Sequence, residues 1–444
     1  MIRTLRIFFH LLFFFFPFWL LEGTLLATPP IQRMVLSNQM VLLASEEHSL
    51  PFVTVQLLVD AGSRRDSPGQ EGLARLTAKG LLLGTAKRAA RAINEELDFM
   101  GASLDSSAGR DYITLSLRVL NKDLEQGFGL FLEVLTQPVF PPEEMKKEME
   151  KTLAAIQAEE DQPGEVAEKA FQENLYLQGP YKYPIEGTKD SISRISREDV
   201  VRFYQKFYLP GHAILAVVGD ISQEEIKTRL FPSLEKWPRG RIPEEPSKTE
   251  FAEGPKTVTI NRSLSQANIV LGQSGVSRDN PDFYALTVMN YILGGGGFSS
   301  WLVEEIRNKR GLAYSAASFF DPGKYPGSFQ IVLQTKNTSA REAIALARGQ
   351  MGRIRREMVS GKELGEAQKY LVGSFPMRLD TQGKLANFLL QVEYYGLGLD
   401  YPARYPNLIQ SVSREEVLRV AQKYLHPDNY ILIIVADVKA AGLD

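Results

Sequence analysis

The 444-residue chain contains no cysteine. A disulfide framework, an iron–sulfur cluster and a cysteine zinc knuckle are therefore excluded. Histidine is nearly as scarce: His10, His48, His212 and His426 are the only four, and no two lie close in sequence. That spacing leaves no pair of histidine ligands on one helix face. An excess of one charge is lacking too. Lys and Arg total 51 against 53 Asp and Glu, a formal net charge of -2, so nucleic acid is not expected as a partner. With 44% hydrophobic and 23% charged residues the composition is that of a folded protein. The length predicts two or three domains at roughly 150 residues each.

Long apolar runs are confined to the N-terminus. Arg3 and Arg6 precede a nearly unbroken apolar stretch from Ile7 to Leu21, which holds seven of the 24 phenylalanines, and Glu22-Gly23-Thr24-Leu25-Leu26-Ala27 follows. A basic start, an apolar segment and a small residue before a polar stretch predict a secretory signal peptide over residues 1–27. The run is shorter than the roughly 20 residues of a spanning helix, so the membrane is a partner only if this segment stays uncleaved. The expected location is exported, in the periplasm.

The remainder reads as one unit written twice. SREDVVRFYQKFYLPGHAILAVVGDI from Ser196 matches SREEVLRVAQKYLHPDNYILIIVADV from Ser413 without gaps, with 12 of 26 positions identical at an offset of 217. In each copy a Ser caps a helix with an acidic first turn, the helix stops before Pro210 or Pro427, and an Ile/Leu/Val run predicts a strand. Val53 to Asp60 and Ala267 to Gly272 are a second matching pair of strands, each leading through a Gly-, Arg- and Asp-containing turn into a helical stretch. Pro142 to Asp161 and Ser339 to Ser360 show helical spacing, and Gly101 to Leu120 predicts two strands. Glu173 to Gly179 (ENLYLQG) resembles a protease-removable tag site but lies inside continuous sequence, and is read as native.

The predicted fold class is α+β: two homologous layered α/β domains, a duplicated unit of mixed or antiparallel sheets packed with helices, facing each other across a linker. The boundaries are 31–235 for the N-terminal domain, 236–255 for the linker and 256–438 for the C-terminal domain. The three prolines and several charges of Lys236 to Lys248 predict an exposed, stiff connection.

Gly72-Leu73-Ala74, Gly84-Thr85, Met100-Gly101-Ala102, Pro138-Val139-Phe140, Asp161-Gln162-Pro163 and Tyr208-Leu209-Pro210, in this order, resemble the insulinase (pitrilysin) family of inverted-motif zinc metallopeptidases. The resemblance is to a processing-peptidase-like two-domain chain and covers nearly all of the sequence after the signal. In the family, Gly-Leu-Ala leads into a His-x-x-Glu-His helix whose histidines bind zinc and whose glutamate activates water, with a distant glutamate as third ligand. Here Arg75 and Lys79 stand at the histidine positions, Ala78 at the base and Ala155 at the third ligand. Neither cation has a free lone pair for a metal, so the expectation is no catalytic residue, metal site or cofactor in this chain.

The C-terminal half retains a different part of the pattern. Gly294, Gly295, Gly296 and Gly297 precede Arg307 and Tyr314, seven residues apart, in a segment similar to the one from which the family's arginine and tyrosine reach the substrate. A guanidinium and a phenol suit a carbonyl oxygen that gains negative charge. The glycines lack the Lys-Ser/Thr of a phosphate loop. The resemblance makes them a substrate-contacting loop, and plain sterics makes them a turn of close backbone approach. Gly101 to Ser107 matches the edge where family members add an extended peptide.

The resemblance thus implies a non-catalytic subunit of an exported heterodimeric zinc metallopeptidase. It would complete the chamber and bind a peptide or unfolded polypeptide, while a homologous subunit carries the zinc and cuts. The alternative is an inactive homologue serving as a binding or scaffold protein.

Overall fold

The computed structural model describes residues 30–241, 243–245 and 248–443. The expected signal segment, residues 1–27, lies outside them. Among the described residues no helix is long and apolar enough to cross a membrane.

The strands are β1 (Ile31–Val35), β2 (Val41–Glu46), β3 (Phe52–Val59), β4 (Ser103–Ala108), β5 (Ile113–Leu120), β6 (Tyr176–Gln178), β7 (Ala213–Gly219), β8 (Glu250–Phe251), β9 (Lys256–Asn261), β10 (Gln266–Ser274), β11 (Ala313–Asp321), β12 (Ser328–Lys336) and β13 (Ile431–Ala436). One sheet runs β1-β2-β7-β3-β5-β4 and a second β11-β12-β10-β13-β9. Each is antiparallel but for one pair, β2 with β7 and β9 with β13. Laid over one another, β2-β7-β3-β5-β4 and β9-β13-β10-β12-β11 share strand order and that parallel pair, so the repetition in sequence is a repetition of topology. β4 and β11 are corresponding edges. β6 and β8 form a small ribbon, which places Tyr176 of the tag-like segment among the buried residues.

Helices used below are α1 (Leu73–Gly80), α2 (Pro142–Glu159), α3 (Pro163–Leu175), α4 (Arg197–Phe207), α5 (Phe283–Asn290), α6 (Ala340–Ile354), α7 (Gln382–Tyr394), α8 (Tyr401–Gln410) and α9 (Arg414–Tyr424). The repeated Ser starts hold: Ser196 and Ser413 cap α4 and α9, each accepting from the backbone N–H three residues on, where Asp199 and Glu416 reply in kind. Such boxes satisfy two orphan helix donors. The helix expected over 339–360 ends at Ile354, and a new helix begins after Ser360, whose side chain caps it. Ser has the cap chemistry that stops one apolar period and starts another.

Two helices cross over. α3 belongs to the first half by sequence yet packs on the second sheet, where Ala167 and Phe171 meet Val270, Ile431, Ile433 and Val435. α7 belongs to the second half yet packs on the first sheet, where Leu385, Ala386, Leu389 and Leu390 meet Leu43, Leu58, Ala216 and Val218. The opposite face of each sheet covers its own core, with Val55, Leu57, Leu215 and Val217 in the first and Ile269, Leu271, Leu432 and Ile434 in the second. Both interior runs, AILAVVG and ILIIVA, are thus apolar on both faces, which is why they read as unbroken rather than alternating. Gly272 is required by this exchange: a Cβ there would lie 2.5 Å from the Phe171 ring and 2.5 Å from the Phe329 carbonyl oxygen.

Polar contacts fix the halves further. Arg64 pairs with Asp60 and donates to Glu245 at 2.6 Å, and Lys324 reaches Glu245 at 3.0 Å and Asp60 at 3.2 Å. Tyr325 donates to Glu245 at 2.9 Å. The Arg64 side chain is fully buried, so these partners compensate a charge that burial alone would make costly. The connection expected to be merely exposed is therefore tied down at Glu245, and Trp237 at its start is buried. Arg33 adds a bidentate pair with Glu393 of α7, at 2.8 and 3.0 Å.

Candidate functional site

Two regions carry the expected site residues, one on each half. The first is α1. Gly72 before it takes a left-handed conformation (φ +92°), and a Cβ there would strike Ile192 at 2.7 Å and the Glu186 carbonyl oxygen at 2.8 Å. Asp66 receives the free N–H groups of Gly72 at 2.9 Å and Ala74 at 2.8 Å. Burial pushes the Asp66 carboxyl well up, with those two hydrogen bonds opposing. Leu73, Ala74, Leu76, Thr77, Ala78 and Gly80 are buried, while Arg75 and Lys79, four apart, share the partly exposed face. Spacing of that kind lets two side chains reach one point above a helix.

At that point the chemistry is wrong for zinc. Arg75 donates from Nη1 to Thr152 Oγ1 of α2 at 3.1 Å, and Ala78 contributes a buried methyl group. Ala155 lies exposed on α2, about one turn beyond Thr152. Two cations and two methyl groups offer no lone pair to a metal, and each cation would repel one at close range by a few kcal/mol even at an effective dielectric of about 20. The residues present at these four positions do not fit a zinc ion. Among the described residues no three His, Cys, Asp or Glu side chains gather as a metal site.

The second region follows α5. The chain passes through a π-helical turn over Tyr291–Gly295 and a short turn over Gly297–Ser299, then a second π-helical stretch over Val303–Asn308, and enters the edge strand β11. π-Turns of this kind recur at functional sites. Three of the four glycines are set by contact. A Cβ on Gly294 would lie 2.5 Å from Ser318 Oγ, one on Gly295 2.7 Å from Asn290 Nδ2, and one on Gly296 2.7 Å from the Tyr291 carbonyl oxygen. Gly297 has open space but φ of +58°. The run thus has a steric basis, whatever else it touches.

Arg307 and Tyr314 come together here. The guanidinium sits 5.2 Å from the Tyr314 ring centroid and 4.7 Å from that of Phe298. Both rings face solvent, Tyr314 at 75% and Phe298 at 71% exposure. Among the described residues no carboxylate lies within ion-pair reach of Arg307, whereas its neighbours Lys309 and Arg310 both pair with Glu305. Phe298 was not singled out by sequence reasoning, and its only signal was a large aromatic directly after the glycine run.

Residues 41–189 match the sequence profile of the insulinase family (peptidase family M16), and residues 194–371 match that of the peptidase M16 inactive domain. The chain belongs to the insulinase family. Within it the chain is similar to an uncharacterised zinc protease of Streptomyces coelicolor, 26% identical over 366 residues that cover 80% of this chain and 79% of that one. It is similar to the non-peptidase homolog YmxG of Helicobacter pylori, 26% identical over 395 residues covering 89% and 91%. The crystal structure of a peptidase M16 inactive domain from Pseudomonas fluorescens superposes with a TM-score of 0.86 at 28% identity, over 92% of this chain and 98% of that one. This insulinase-family chain lacks the family's zinc set and has the character of an inactive peptidase homologue.

Proposed function

We propose that this chain is the non-catalytic subunit of an exported heterodimeric zinc metallopeptidase. It closes the chamber over a peptide and presents Arg307 and Tyr314 to the scissile region, while a homologous partner holds zinc on an intact His-x-x-Glu-His helix. The observation that carries the reading is the Arg307–Phe298–Tyr314 cluster: an arginine held between two exposed aromatic rings with, among the described residues, no acid to neutralise it. A surface arginine kept only for solubility gains from a carboxylate neighbour, as Arg310 does. One left free and stacked is ready to donate to a carbonyl oxygen, and gains strength when a closing partner excludes water. The glycine run would border the same substrate.

The test is to purify the chain alone and mixed with a related zinc-bearing chain, and to measure zinc content and peptide cleavage. The lone chain is expected to hold no stoichiometric zinc and to cleave nothing. In the mixture, Arg307→Ala is expected to lower kcat by about 10²–10³, the cost of removing one oxyanion donor, with complex formation unchanged. One equivalent of zinc in the lone chain, or full activity with Arg307→Ala, refutes the proposal. The Helicobacter pylori relative is named as a non-peptidase homolog, which favours the second reading, a binding or scaffold protein. That reading gains if no zinc-bearing chain associates and Tyr314→Phe alters no cleavage.

A further inference from the structure

A second site lies away from Arg307, where α7 crosses between the halves. α5, α7, α8 and the turn over Phe375–Arg378 enclose a cavity of about 600 Å³, with Tyr112 of the first half and Pro322, just past the far end of β11 from Tyr314, on its wall. That volume is in the usual range for small-molecule sites, and so is its place at a junction between domains. Phe283, Phe388, Tyr395, Tyr401 and Tyr405 make the lining aromatic, and no carboxylate belongs to it.

The charges in that wall are of one sign. Arg278 lies 3.8 Å from the Phe283 ring centroid and donates to the Tyr401 hydroxyl at 3.2 Å. Arg378 lies 5.6 Å from the Tyr405 ring centroid. Among the described residues neither guanidinium has a carboxylate within ion-pair reach, whereas Lys384, the third cation, is neutralised by Asp380 at 2.7 Å. Both guanidiniums act on the same phenol: burial raises Tyr405 above its ordinary value, and Arg378 and Arg278 both pull it back. Both line the one cavity, and Arg278 also lies 5.9 Å from the ring centroid of Tyr401, which packs edge-on against Tyr405.

We propose that this cavity binds a carboxylate carried on an aromatic or bulky apolar body, the chemistry of a peptide's C-terminal residue or of a free aromatic acid. The planar guanidinium fork matches a carboxylate through paired, charge-assisted hydrogen bonds, and the rings receive the apolar body by stacking. A cationic ligand is repelled, and a neutral one leaves both guanidiniums unpaired. Because Tyr112 belongs to one half and the other lining side chains to the second, an occupant bridges the halves. The site is independent of the peptidase reading.

The experiment is calorimetric titration of the full chain with N-acetyl-L-phenylalanine, its amide, 3-phenylpropionate and a tripeptide ending in phenylalanine. The acids are expected to bind saturably at one site, and the amide about tenfold or more weakly, as the loss of one charge-assisted hydrogen bond implies. Arg378→Gln, at an exposed position, is expected to weaken the acids to a similar extent and leave the amide and the melting temperature unchanged. Tighter binding of the tripeptide than of 3-phenylpropionate identifies a peptide C-terminus as the occupant, and the reverse a free acid. Equal affinity for acid and amide, acid binding unaffected by Arg378→Gln, or no saturable binding in the millimolar range overturns the proposal.

Discussion

Shortening Leu389 to alanine tests whether α7 serves the half that does not encode it. The side chain is fully buried against Leu43, Leu58, Ala216 and Val218 of the first sheet. The substitution removes three carbons, about 2.4 kcal/mol of transfer free energy at roughly 0.8 per methylene. The cavity left behind adds to this, so the expected loss is about 3 kcal/mol. The bidentate Arg33–Glu393 pair ties the same helix to β1, but Arg33 is 42% exposed and the pair is worth at most about 1 kcal/mol. Apolar contact therefore dominates the docking. The assay is amide hydrogen exchange along β3 and β7, with Val392→Ala as the control because Val392 faces the second core from the same helix. Leu389→Ala is expected to speed exchange in β3 and β7, and Val392→Ala in the second half. If β7 exchanges as in the wild type while β10 and β13 loosen, the reciprocal packing is not what stabilises the first sheet.

Glu245→Gln probes the tie between the connection and both halves. Burial would raise the Glu245 carboxyl, but Lys324, Arg64 and Tyr325 overcome this and hold it at about 2, below the roughly 4.3 of an unfolded glutamate. Its contribution is complete above that unfolded value and is lost as the pH falls toward 2; screening of a half-exposed group limits it to about 1 kcal/mol. Urea midpoints should differ between wild type and variant at pH 7, and the gap should narrow below about pH 4 and close only as the pH nears 2; a gap that widens with acid contradicts the assignment. Within the glycine run, Gly297→Ala should cost about 1 kcal/mol for its left-handed backbone alone. Gly294→Ala should cost more, about 2–3 kcal/mol, because it overpacks against Ser318 and Leu302; thermal melts that rank them in reverse refute the steric account. Arg307→Ala should cost no more than about 1–2 kcal/mol, the worth of its two exposed ring contacts, so a larger loss of stability would assign Arg307 a structural role instead.

Local signals carried most of the fold into view. The Ser-Arg-Glu starts of α4 and α9 and the strands after them were readable because caps and apolar runs act within a few residues. The positions of Arg75, Ala78 and Lys79 were placed by the family resemblance that begins at Gly72-Leu73-Ala74, a stretch the structure holds by the hydrogen bonds of Gly72 and Ala74 to Asp66. Crossing helices left no such mark. Nothing in GEVAEKAF says which sheet Phe171 will cover, and a strand apolar on both faces does not name its second neighbour. Glu245 looked like any acid in a proline-rich connection, since its partners Arg64 and Lys324 lie far away in the chain. The Arg278–Arg378 cavity was invisible for the same reason, being assembled from segments about 290 residues apart at the extremes (Tyr112 to Tyr405).

The exchange of α3 and α7 also sets an order of events during synthesis. Every strand of the first sheet exists once Gly219 has been made, but the helix that covers its second face ends at Tyr394, and 394 − 219 leaves 175 residues still to come. At about 5–20 residues per second that is roughly 9–35 s. Through that interval Leu43, Leu58, Ala216 and Val218 form an uncovered apolar sheet face on a chain still being made. A truncated chain carrying only the first half would keep that face permanently, and would associate with itself or with a chaperone. Each of the duplicated halves thus carries the cover for one face of the other's sheet, so neither half alone buries both faces of its own.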